Sequence, residues 1–159
     1  IPSGQLHSKS YLECARSLGK PLILSTGMSD WSEVEAAVDI LGTENVVILL
    51  CNSAYPYPNE DANVVLVTTN RCANSPKGYS DHTTTDVAGI IAATHGAFMI
   101  EKHFMLSEFF KTPDTETSLT PRRFKWYVTG IRQAETINGY GPKGITESEK
   151  PNLHRRDYR

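Results

Sequence analysis

The residues best suited to chemistry fall in four short runs: Ser25-Thr26, Asn52-Ser53, Ser80-Asp81-His82 and Glu101-Lys102-His103. Each run closes a stretch that reads as a strand. Side chains alternate along a strand, so Ser80 and His82 share a face, as do Glu101 and His103. Each of these strands then offers one imidazole and one oxygen-bearing group to the same side. Two imidazoles from adjacent strand ends suit Mn²⁺, Fe²⁺, Co²⁺ or Zn²⁺, with water or substrate in the remaining positions. Two hydrogen-bonded structural histidines would leave the same letters, and for a lone histidine that is the commoner outcome. The matched placement of His82 and His103, each flanked by an acid, favours the metal.

Ser25, Ser53 and Ser80 close three different strands. Converging hydroxyls and loop amides can hold a phosphate without a glycine-rich loop. Ordinary capping of strand ends explains the serines equally well. Asp114 could bind sugar hydroxyls, but its place after Pro113 reads more simply as a turn. Tyr55, before Pro56, could line a pocket mouth or cover the core. His7, His95 and His154 have no matched partners, and His95 reads as a structural residue closing a helix.

These residues need elements to position them. Leu6–Leu18 has a helical pattern, with Leu12, Ala15 and Leu18 inward and Gly19 as the stop. Pro21–Ser25 is wholly apolar up to its last residue, the pattern of a strand buried in a parallel sheet. Asp30 can cap the next helix, with Glu33 completing a capping box and Val34, Ala37, Val38 and Leu41 on the buried stripe. Asn45–Cys51 is the second strand. Ala62–Asn70 is ambiguous: its valines suggest a strand, whereas the repeating unit needs a helix. Lys77–His82 and Ala97–Phe104 are strands, with a helix from Asp86 to His95 between them. Thr120 and Pro121 open a last helix expected to bury Phe124, Tyr127, Val128, Ile131 and Ala134. After Gly139 the chain turns polar and reads as a linker.

Alternating strands and helices mean a parallel α/β architecture. A doubly wound sheet or a barrel would fit, although four strands are too few to close an eight-stranded barrel. At 159 residues, 39% hydrophobic and 21% charged, the chain has the composition of one folded domain rather than a disordered one. A net charge of −2 argues against nucleic acid or a membrane surface as partner. Basic residues cluster only at Arg155, Arg156 and Arg159. No apolar run is long enough to cross a bilayer, and Ile1–Gly4 lacks the marks of a secretory signal. Cys14, Cys51 and Cys72 are odd in number and widely spaced, so no disulfide framework is expected and a cytoplasmic setting fits.

Gly78-Tyr-Ser-Asp-His-Thr83, followed by Ile100-Glu-Lys-His-Phe104, resembles the N-acetylneuraminate (sialic acid) synthase family. So do Gly19-Lys-Pro-Leu-Ile-Leu-Ser-Thr-Gly-Met28 and Ser53-Ala-Tyr-Pro56. Pro113-Asp114 with Ser118-Leu119 is similar to that family's sugar-binding loop. Ser148-Glu-Lys and then Arg155-Arg156 are similar to the end of its barrel domain. The resemblance covers almost the whole chain.

The resemblance implies a (β/α)₈ TIM barrel, of which this chain would supply strands 5–8 and their helices. Residues 1–139 would be the C-terminal half of the barrel domain. Residues 140–159 would form a linker toward a small antifreeze-like domain. The implied reaction condenses phosphoenolpyruvate with N-acetylmannosamine or a related amino sugar and releases phosphate. Carried over, His82 and His103 hold a divalent metal, Mn²⁺ first, with Mg²⁺ or Co²⁺ as alternatives. Ser25, Ser53 and Ser80 meet phosphoenolpyruvate, Tyr55 and Asp114 meet the sugar, and Glu101 orients water or transfers a proton. The family also implies a homodimer.

Two departures bear on the sugar side. Thr115 follows Asp114 where many members have His, and Asn52 stands where many have Thr. A synthase for legionaminic, pseudaminic or another nonulosonic acid therefore competes with one for N-acetylneuraminate. The catalytic glutamate and phosphate-binding lysines of the family's N-terminal half are also absent, so the chain by itself is expected to be inactive. The alternative is a non-catalytic metal-binding half-barrel, or a truncated gene product, acting through self-association by its exposed edges.

Overall fold

The computed structural model describes residues 1–156. Arg159 and the last residues of the expected linker lie outside the described residues. Four strands, β1 (Leu22–Ser25), β2 (Val46–Leu50), β3 (Lys77–Asp81) and β4 (Ile100–Lys102), form one sheet in the order β1-β2-β3-β4. Every neighbouring pair is parallel. The helices are α1 (Lys9–Ser17), α2 (Trp31–Leu41), α3 (Val87–Thr94) and α4 (Pro121–Asn138). A doubly wound sheet reverses its strand order at a switch point. Strictly sequential order with right-handed crossovers stacks the helices on one face instead. The result is a curled half-barrel, with α1 packed on α2 and α3 on α4.

The alternation of each strand decides what faces the helices. Leu24, Ile48 and Tyr79 point toward them and are almost fully buried, with Val34, Ala37, Val38 and Leu41 of α2 in the same core. The expected capping box is present: Asp30 accepts from the Ser32 and Glu33 amides, while Glu33 accepts from the Asp30 amide. On the opposite, concave face Leu49 packs over Gly78, where a Cβ would strike both Leu49 Cδ2 and the Met99 carbonyl. That contact lets β2, β3 and β4 curl closely around their inner side chains.

Several boundaries and faces differ from expectation. Only Leu12 of α1 is buried; Ala15 is half-buried and Leu18 is 65% exposed beyond the helix end. Ala62–Asn70 is neither strand nor α-helix. It contains a 3₁₀ helix, Val64–Thr68, which buries Val64 and Val67. On α4, Tyr127 and Ile131 are buried, Phe124 and Ala134 are half-buried, and Val128 is exposed. The strand expected at Ala97–Phe104 contracts to β4, with a single further bridge from Phe104 to Leu119. Beyond Gly139 the chain is exposed but includes a 3₁₀ helix, Lys150–Arg155. No helix among the described residues is long and apolar enough to cross a membrane.

Candidate active site

The carboxyl ends of all four strands open into one cavity of about 540 Å³. Its wall includes Ser25, Ser53, Tyr55, Ser80, His82, Glu101 and His103, the residues singled out by type and spacing. β3 and β4 are in register with Ser80 opposite Glu101. Ser80 Oγ donates to Glu101 Oε1 at 2.8 Å and lies 3.2 Å from His82 Nε2. The expected sharing of faces therefore appears as direct contact.

His82 is 4% exposed, and its Nδ1 lies 2.7 Å from the Asn52 carbonyl. A carbonyl can only accept, so that contact places the proton on Nδ1 and leaves Nε2 with a free lone pair facing the cavity. Burial pushes the His82 pKa below its ordinary value, against the opposing pull of the Asn52 carbonyl. A neutral ring with one nitrogen anchored to a backbone carbonyl is what a metal-ligating histidine needs.

The His82 and His103 rings are 5.3 Å apart between centroids. With metal–nitrogen bonds of about 2.1 Å, two imidazoles on one tetrahedral ion have centroids roughly 5 Å apart. The ring separation is of the size two imidazoles on one divalent ion require. Among the described residues no group of three or more His, Cys, Asp or Glu is placed to hold one.

Tyr55 stacks at a tilt on His82, 4.2 Å between centroids, and meets His103 edge-on at 5.7 Å. It thus sits at the cavity mouth rather than over the core. Burial raises the pKa of its hydroxyl, with nearby Cys51 and Asp114 adding to the shift. Ser53 Oγ is buried without a hydrogen-bond partner among the described residues, which leaves it free to meet a ligand.

Asp114 stands apart from the other candidates. It is not on the cavity wall, but its carboxylate lies 3.9 Å from His103 Nδ1. Its own carbonyl accepts from Ser118 Oγ and Thr117 Oγ1, so it also shapes the turn expected from Pro113. Asp81 flanks His82 in sequence but, alternating with Ser80 and His82, points to the helix side, is fully buried and is not on the cavity wall. His7 lies near Ser29 and Glu33, away from this site. His95 caps α3 through Nδ1 on the Ile91 carbonyl, as a structural residue should.

Spacing alone missed Ser3, Met28 and Cys51, which complete the wall beside Ile1, Pro2 and Gly4. Ser3 Oγ accepts from the Gly27 amide at 3.0 Å, tying the first residues to the loop after β1. Met28 holds a positive φ of 61°, and the Ser-Thr-Gly-Met sequence preceding a helix cap was the available sign of a special turn. A larger hollow of about 630 Å³ lies across Met28, Cys51 and Ser53, between the sheet and α2. It carries neither histidine nor Glu101, which line the smaller cavity.

Residues 1–143 match the model of the NeuB family. This chain belongs to the NeuB family. An uncharacterised protein of Methanocaldococcus jannaschii is 42% identical over 94% of this chain and 46% of its own length. An N,N'-diacetyllegionaminic acid synthase of Campylobacter jejuni is 36% identical over 97% of this chain and 48% of its own. The crystal structure of an N-acetylneuraminic acid synthetase from Leptospira borgpetersenii, in complex with citrate, superposes with a TM-score of 0.87 at 31% identity, covering 98% of this chain and 56% of that one. The NeuB-family chain thus spans about half the length of the curated relatives it matches.

Proposed function

We propose that this chain is the C-terminal half-barrel, strands 5–8 of a (β/α)₈ barrel, of a synthase that condenses phosphoenolpyruvate with N-acetylmannosamine or a related amino sugar. The product is N-acetylneuraminate or a related nonulosonic acid, with release of phosphate. The observation that carries the reading is the meeting of His82, Ser80 and Glu101 in one cavity with His103, Ser80 Oγ donating to Glu101 and lying 3.2 Å from His82 Nε2. Membership of the NeuB family and the sialic, legionaminic and pseudaminic acid synthases among its relatives support the reaction class.

In this reading His82 and His103 hold a divalent ion, Mn²⁺ first and Mg²⁺ or Co²⁺ as alternatives. When bound, the ion supplies Lewis acidity toward the sugar aldehyde. Ser25, Ser53 and Ser80 orient phosphoenolpyruvate, whose enol carbon attacks the aldehyde carbon. Ser53 Oγ, beside Tyr55 and without a well-formed hydrogen bond among the described residues, is a ready donor to its phosphate or carboxylate. Ser80 holds Glu101 by Oε1 and so leaves Oε2 to orient the water that adds at the phosphate-bearing carbon, or to move its proton. Tyr55 and Asp114 face the sugar.

Residues 1–139 form the barrel part and 140–159 a linker toward a small C-terminal domain. The complete enzyme is a cytoplasmic homodimer. Ile1 supports a further strand position beside β1: its amine donates to the Ile23 carbonyl and its carbonyl accepts from the Ser25 amide, in the manner of a parallel ladder.

Calorimetric titration tests this reading. Mn²⁺ should bind the chain and be lost in His82→Ala and His103→Ala. Ser25→Ala should weaken phosphoenolpyruvate and leave Mn²⁺ unchanged. A wild-type chain that binds neither ligand overturns the proposal. Phosphate release by this chain alone should stay near background, because no lysine lines the cavity among the described residues. Strong turnover would refute the need for a second half.

A further inference from the structure

The residues that alternate with the site residues form a second cluster on the other face of the same two strands. Asp81 and Lys102 are register partners on β3 and β4, and their side chains are 0% and 1% exposed. Lys102 Nζ lies 3.3 Å from Asp81 Oδ1 and also donates to the Thr83 carbonyl. Asp81 Oδ1 further accepts from the Thr83 amide at 2.9 Å and from Thr83 Oγ1 at 2.7 Å. Its other oxygen accepts from the Tyr127 hydroxyl at 2.8 Å, reaching in from α4. Both carboxylate oxygens are thus engaged.

This cluster brackets the site. Asp81 and Thr83 immediately flank His82, and Lys102 immediately precedes His103. A single lysine from β4 therefore grips the backbone just past β3 on one side of His82 and the Asp81 carboxylate on the other. Side chains of adjacent residues point oppositely, so groups fixed on the helix side set the backbone from which the imidazoles project into the cavity. A buried ion pair is not in general a source of net stability, because desolvation offsets the attraction. Its geometric role is therefore the better explanation for its presence here.

We propose that the buried Asp81–Lys102 pair, keyed by Tyr127, is a positioning device that sets the spacing of His82 and His103 for a divalent ion. The inference rests on the metal reading of those histidines. None of its members lines the cavity, so Asp81, Lys102 and Tyr127 are positioning residues. Loss of such outer support typically costs about 10–100-fold in metal affinity.

Co²⁺ titration of the whole chain, followed by its visible absorption, tests the proposal. The double variant Asp81→Asn/Lys102→Met removes both charges together and leaves no unpaired buried ion. It should bind Co²⁺ at least about tenfold more weakly, with a changed band shape. Val38→Ala in α2, remote from the site, serves as the control: it lowers the melting temperature and should leave the Co²⁺ spectrum as in wild type. Tyr127→Phe is the milder variant and carries the test if the double variant does not fold. It should shift the Co²⁺ band and weaken binding by roughly threefold, the equivalent of part of one hydrogen bond. A folded double variant, or failing that Tyr127→Phe, with wild-type affinity and spectrum overturns the positioning role. A wild-type chain that does not bind Co²⁺ instead overturns the metal reading on which it rests.

Discussion

Ser80 and Glu101 are register partners on β3 and β4, joined by a 2.8 Å hydrogen bond from the serine hydroxyl to the carboxylate. Ser80 is 2% exposed whereas Glu101 reaches solvent, so the bond is anchored at its buried end. Ser80→Ala leaves the carboxylate free to rehydrate, and no buried charge is orphaned. The expected cost is small, about 0.5–1 kcal/mol in urea denaturation. A loss several times larger would mean that Glu101 is held in a more enclosed setting than its exposure indicates.

His82 predicts the acid side of the stability profile. Burial lowers its native pKa below the ordinary 6.5. The unfolded chain then holds more protons between the two values, so stability rises with pH across that interval. The contribution is fully present above the unfolded value and is lost as pH falls through the native one. Without added metal, the melting temperature should fall as pH drops through and below the ordinary 6.5, and fall less steeply in His82→Gln. A fall of equal steepness in the variant would assign the titration to other groups.

Gly89 of α3 is the aperture through which Tyr127 reaches Asp81. A Cβ there would collide with the Tyr127 hydroxyl and ring. Gly89→Ala must expel the tyrosine and strip Asp81 Oδ2 of its donor. Overpacking of this kind costs about 1–3 kcal/mol, so the usual helix-favouring effect of replacing glycine by alanine should be reversed in chemical denaturation. A stabilised variant would show that α3 and α4 can part without cost.

Gly27 plays a similar part at the cavity. A Cβ there would overlap Ser53 Oγ and lie 3.0 Å from Ser53 Cβ and 3.1 Å from Ser3 Oγ. Gly27→Ala should therefore displace Ser53 and weaken phosphoenolpyruvate binding by roughly tenfold or more while circular dichroism stays native. Unchanged affinity in calorimetry would remove Ser53 from the binding wall.

Much of the site was legible because it depends on local rules. Alternation along a strand is built into the backbone, so placing Ser80 with His82, and Glu101 with His103, required only that the strands exist. The Asp30–Glu33 capping box and the Val34–Leu41 stripe were readable for the same reason: partners a few residues apart meet within one helix. The Ala62–Asn70 segment was not readable, because valines can serve a strand or a short 3₁₀ turn and only the space left between sheet and helices selects one. Period alone puts Leu18 and Val128 inward, yet each is exposed among the described residues.

The amino-acid sequence by itself determined the parallel α/β class, the strand ends, and the pairing of histidine with serine or glutamate on common faces. These follow from hydrophobic period and side-chain parity, which act over a few residues. The tertiary structure decided that Asp81 belongs with Lys102 and Tyr127 rather than with the cavity, and that Asp114 lies beside His103 but off the wall. It also brought Ser3, Met28 and Cys51 to Ser53. Each of these outcomes joins residues from different elements, and their meeting depends on sheet curl and helix packing, which no local pattern encodes.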